Sequence, residues 1–137
     1  MYKAALTLLC AIVFMACDKK DPNCGSLICT EQFVSATITF TKPDGTGIAV
    51  KDFSVVNQRT GDTLSKVGPT DLSLAPGTYI VVSDNHVKEL SEGGDELKVT
   101  GTYEATSQAK SAIIKVSGGK CACHIHKISG PDKVAFD

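Results

Sequence analysis

Four cysteines and two histidines are the residues best able to do chemistry in this chain. Cys24 and Cys29 form a C-x4-C pair near the start, and Cys121 and Cys123 sit in the run Cys121-Ala122-Cys123-His124-Ile125-His126 near the end. An even set of thiols reads as two disulfides, with three pairings to choose from. The same thiols with two imidazoles could instead form a zinc-type site. C-x4-C with C-x-C is not usual zinc-knuckle spacing, and the pattern predicts a strand over 121–128. On a strand Cys121 and Cys123 face one side and His124 and His126 the other, so one ion cannot draw on both sets. A Cys121–Cys123 bridge is disfavoured too, because strand positions i and i+2 lie about 6.5–7 Å apart, at the limit of disulfide reach. Cys24 and Cys29 are therefore expected to bridge to the terminal pair, one each, with Gly25 easing the fold-back between them. His124 and His126 alone are a separate option, since two imidazoles on one strand face about 7 Å apart suit Cu, Ni or Zn. A third ligand, with His86 or an acid from residues 84–95 as the nearest options, is not predicted. No cofactor is expected otherwise, and the two histidines are then solvated side chains.

Catalysis has little to stand on. There is no nucleophile elbow, no HExxH pair and no phosphate-cradling glycine loop. Asp95-Glu96 and Glu89/Glu92 offer paired carboxylates, but in a loop these read as solvated, so no enzyme is expected. The chain has 137 residues, 14 basic and 15 acidic, and a net charge of −1. That balance excludes an electrostatic nucleic-acid binder, which needs a basic excess to neutralise phosphates. Trp is absent, and six of the eight Phe and Tyr lie beyond residue 16, which weakens a carbohydrate-binding role built on stacking platforms.

The elements that must position these residues alternate with period two. Val34, Ala36, Ile38 and Phe40 interleave with Ser35, Thr37, Thr39 and Thr41, the mark of a half-buried strand. Lys42-Pro43-Asp44-Gly45-Thr46-Gly47 is turn chemistry. Further strands are expected at 53–57, 63–66, 71–74, 79–83, 96–103, 109–116, 121–128 and 133–136. Arg59-Thr60-Gly61-Asp62 serves as a turn, residues 84–94 as a polar loop and Ser117-Gly118-Gly119-Lys120 as a hairpin loop. No stretch holds a 3.6-residue period. The prediction is an all-β protein with a single antiparallel β-sandwich of about seven to eight strands, Ig-like or transthyretin-like, over residues 32–137.

Residues 1–16 have one Lys, then an apolar run from Ala4 to Ala16. Thirteen helical residues span about 20 Å, too short for a hydrocarbon core of about 30 Å, so this is a signal peptide rather than a membrane span. Phe14-Met15-Ala16-Cys17 resembles a bacterial lipobox of the relaxed kind found in Bacteroidota lipoproteins, with Phe14 where Leu is usual. The resemblance implies cleavage before Cys17, lipidation of that residue and a tether over 17–31. It also implies an outer-membrane location, with the cell surface favoured by the charged run Asp18-Lys19-Lys20-Asp21. Cys10 leaves with the signal.

Leu74-Ala75-Pro76-Gly77-Thr78-Tyr79-Ile80-Val81-Val82 resembles the strand-turn-strand of transthyretin-like and carboxypeptidase-regulatory-like sandwiches. With the Cys17 tether, the 24–31 segment and the 121–130 run, nearly the whole chain resembles small Bacteroidota lipoproteins. That resemblance implies location and fold and carries no activity. Asp62-Thr63-Leu64 resembles the short O-glycosylation acceptor of the same bacteria, at Thr63. The expected role is an accessory or interaction module, held to the membrane by its lipid and contacting another outer-membrane or surface protein. A metal-binding lipoprotein using the CxCHxH segment, or a carbohydrate-binding module, are the alternatives.

Overall fold

In the computed structural model, which describes residues 23–65 and 74–137, the period-two alternation is realised as eight strands. They are β1 (Ser35–Thr41), β2 (Lys51–Asn57), β3 (Thr63–Ser65), β4 (Thr78–Ser83), β5 (Asp95–Tyr103), β6 (Gln108–Ser117), β7 (His126–Ser129) and β8 (Lys133–Ala135). They form two sheets, β4-β1-β8 and β3-β2-β5-β6-β7. Every pairing is antiparallel except β1 with β8, which is parallel. The expected all-β sandwich is therefore present, with one parallel edge. Signal peptide, Cys17 and the expected strand at 71–74 (but for Leu74) lie outside the described residues.

The core lies between the inner faces. Ile38 and Phe40 of β1, Tyr79 and Val81 of β4 and Phe136 after β8 meet Phe53, Val55, Leu97, Val99, Ile114 and Val116 of the larger sheet. Four aromatic rings interlock there. Phe40 stacks on Phe136 at 5.9 Å and meets Phe53 and Tyr79 edge-on, while Phe53 stacks on Tyr79 at 4.6 Å. Such pairs contribute about 0.5–1.5 kcal/mol beyond the area they bury. The Tyr79 hydroxyl accepts the Val50 N–H at 2.7 Å and donates to the Val50 carbonyl at 3.1 Å, so its burial leaves no polar atom unpaired.

The turns follow their sequence chemistry. In Ala75-Pro76-Gly77-Thr78 the Thr78 N–H donates to the Ala75 carbonyl and Gly77 has φ +77°, the type II pattern with Pro second and Gly third. Gly77 also runs against two other chain segments. A Cβ there would lie 2.5 Å from the Ile48 nitrogen and 2.6 Å from the Phe40 oxygen.

Two expectations need correction. The terminal strand begins at His126, not Cys121, so residues 121–125 are irregular. Cys121 and Cys123 are each bridged to the N-terminal segment, and the stretch that holds them has no ladder partner. The β6–β7 connection is consequently Gly118–Ile125 rather than a tight 117–120 hairpin. The 84–94 loop contains a short 3-10 helix, Asp84–His86.

Candidate functional site

The predicted cysteines converge at one end of the sandwich. Cys24 bridges Cys121 and Cys29 bridges Cys123, with Cα separations of 5.1 and 5.3 Å. Each N-terminal cysteine thus takes one terminal partner, and Gly25, at φ +63°, makes the bend between them. Residues 23–34 belong to no strand, and these bridges fix them to the domain together with hydrogen bonds from Thr30 and Val34. All four cysteines among the described residues are in bridges, so none of them is a free thiolate ligand.

Asp84 joins the same cluster and was missed as a site residue. Its Oδ1 accepts the Ile125 N–H at 2.9 Å. Its Oδ2 accepts the Val34 N–H at 2.8 Å and lies 2.7 Å from His124 Nδ1. An ionised carboxylate only accepts, so His124 Nδ1 carries the proton. His124 Nε2 then faces the Thr30 hydroxyl at 2.9 Å. Burial alone would raise the Asp84 pKa, but the His124 hydrogen bond and the two backbone N–H groups outweigh it and hold it below the ordinary value. No local sequence signal marks Asp84, because the N–H groups it accepts come from 50 and 41 residues away.

Asp84, His124 and Thr30 thus form a hydrogen-bonded chain, and His124 is within general-base reach of a hydroxyl. The neighbouring cavity of about 230 Å³ is lined by Val34, Ala36, Thr37, Ile125 and Lys127, and neither Thr30 nor His124 opens into it. The arrangement ties three chain segments together.

His126 stands apart and exposed at the start of β7. The two histidines therefore do not share a strand face, because 121–125 is not a strand and His124 turns into the Asp84 cluster. Both His124 ring nitrogens already have protein partners. Among the described residues no three His, Cys, Asp or Glu side chains are grouped to hold a metal ion. His86, an option for a third ligand that was not predicted, lies in the 3-10 helix with a buried, unpartnered Nδ1. Thr63 is exposed at the first position of edge strand β3.

The paired loop carboxylates also need correction. Asp95 opens β5 and points inward, almost fully buried. Arg59 Nε and Nη2 donate to it at 2.7 and 2.8 Å, Asn57 Nδ2 at 2.7 Å and Ser91 Oγ at 2.6 Å. The Arg59 hydrogen bonds first, opposed by burial and helped by Ser91 and Asn57, hold its carboxyl far below the usual range. Glu96, one residue on, is exposed on the opposite face, so the two never pair as acid and base. Of the aromatic side chains described, Phe33 alone is exposed and Tyr103 is partly covered.

Fold and cluster together define a class: a two-sheet β-sandwich whose N-terminal segment is stapled by two disulfides to an irregular C-terminal stretch. Comparison with family models, curated proteins and solved structures returns no match.

Proposed function

We propose that the chain is a non-enzymatic lipoprotein of the outer membrane, anchored through Cys17, whose sandwich acts by contact within a membrane-associated assembly. The observation that carries this is the double staple at the point where the tether meets the domain. Cys24 is seven residues beyond Cys17, so a fully extended tether reaches only about 25 Å. A domain fastened there by two bridges and Asp84 is held close to the bilayer in a defined orientation, which suits a module that meets a neighbour in the same membrane.

Exposed Ile113 and Ile128, on β6 and the edge strand β7, offer apolar contact on the larger sheet. The test is cross-linking in intact membranes followed by purification. A stoichiometric partner whose capture falls in I113E/I128E supports the proposal. Recovery of this protein alone overturns it.

A further inference from the structure

Five large apolar side chains are exposed among the described residues, and three fall within seven positions: Leu27, Ile28 and Phe33, at 51%, 96% and 60% exposure. They belong to the stapled segment. Cys24 and Cys29 pin both ends of one short loop, and Leu27 and Ile28 lie between those pins. The segment from Asn23 to Phe33 carries one charged side chain, Glu31, and no Lys or Arg.

We infer that the loop bearing Leu27 and Ile28, together with Phe33, docks into the lipid surface beside the anchor. The inference rests on Cys17 being the lipid-bearing residue. Cys24 follows Cys17 by seven residues, at most about 25 Å of chain, so the pinned loop is the part of the described domain closest in sequence and reach to the anchor. Apolar side chains presented there enter the boundary between headgroups and acyl chains, a layer that amphipathic elements penetrate by about 5–10 Å. The tether keeps the loop at high local concentration over the membrane, so three side chains suffice where a free domain would dissociate. With no basic residue in the segment, docking draws on buried apolar area rather than on anionic headgroups.

The absence of Trp makes the test direct. F33W in the full lipoprotein places the only indole of the chain at the proposed contact. After reconstitution into phosphatidylcholine vesicles, its emission should shift to the blue and be quenched by brominated acyl chains. Quenching should fall about three-fold or more when L27S and I28S are added, and should not change with added anionic lipid or salt. Intact mass of the same preparation reports acylation separately. Acylated protein whose indole stays solvent-exposed and unquenched overturns the docking and leaves the anchor standing. Unacylated protein that does not sediment with membranes overturns the anchor, and the docking with it.

Discussion

The two bridges should stabilise the fold in a strongly non-additive way, and the size of that effect follows from their positions. Cys24–Cys121 and Cys29–Cys123 close loops of 97 and 94 residues. In the chain-entropy model a loop of that length is worth about 4.7 kcal/mol. Once either bridge exists, however, the second closes only the small ring through residues 24–29 and 121–123. That ring, of about eight residues, is worth about 2.5 kcal/mol. Removing one bridge as C24S/C121S or C29S/C123S should therefore cost about 2.5 kcal/mol in either case, and removing both about 7 kcal/mol. The assay is denaturant unfolding of the three variants beside the wild type without thiols, with stability taken by linear extrapolation. Two single-bridge losses that sum to the double loss would refute the nested picture. The bridges would then be acting through separate native contacts rather than through one shared constraint on the unfolded chain.

Other perturbations probe the packing around this staple. D84A leaves the Val34 and Ile125 N–H groups and His124 without their shared acceptor, and should cost about 2–4 kcal/mol; hydrogen exchange should show the Val34 and Ile125 amides losing protection first. D95N places an amide against Arg59 and should cost about 2–3 kcal/mol, less than a fully buried pair because Arg59 is half exposed. Asp84 and Asp95 both titrate lower in the folded chain than in the unfolded one. The unfolded state therefore binds protons first. Their contribution is complete above about pH 5 and is lost as pH falls below about 4 toward the folded values. Acid titration of unfolding should accordingly be shallower in D95N than in wild type. G77A forces a Cβ into the backbone of Ile48 and Phe40 at a positive φ and should cost at least about 2 kcal/mol or abolish folding, read by thermal unfolding.

The strands were legible because one face of each is buried. Ala36, Ile38 and Phe40 alternate with threonines, and that period survives any error of a residue at the ends. That each N-terminal cysteine takes one terminal partner was legible by geometry, since a C-x-C pair on extended chain is at the limit of disulfide reach, but which takes which was not. What was not legible follows from the same logic run too far. Extending the strand back from His126 to Cys121 applied alternation to residues whose backbone is set by two bridges, and so paired His124 with His126 on one face. Asp84 and Asp95 look alike in sequence to the solvated acids around them. Their roles come from N–H groups and an arginine brought from up to 50 residues away, and no local pattern encodes such contacts.

The stapled segment gains its order from elements it does not pair with. Residues 23–34 and 121–125 are both irregular, so neither has ladder hydrogen bonds to offer the other. Covalent bonds, the Thr30–His124 contact and the Asp84 carboxylate take that place. Asp84 directly follows β4, at the edge of the smaller sheet, and Ile125, whose N–H it accepts, directly precedes β7, at the edge of the larger one. A pull on the tether at Cys24 or Cys29 passes through Cys121 and Cys123 toward β6 and β7, and through Val34 and Asp84 toward β1 and β4. The load thus enters both sheets instead of peeling one edge strand. With the domain anchored through Cys17 as proposed, within about 25 Å of the bilayer, that division of load would preserve the orientation of the sandwich while a neighbour engages its surface.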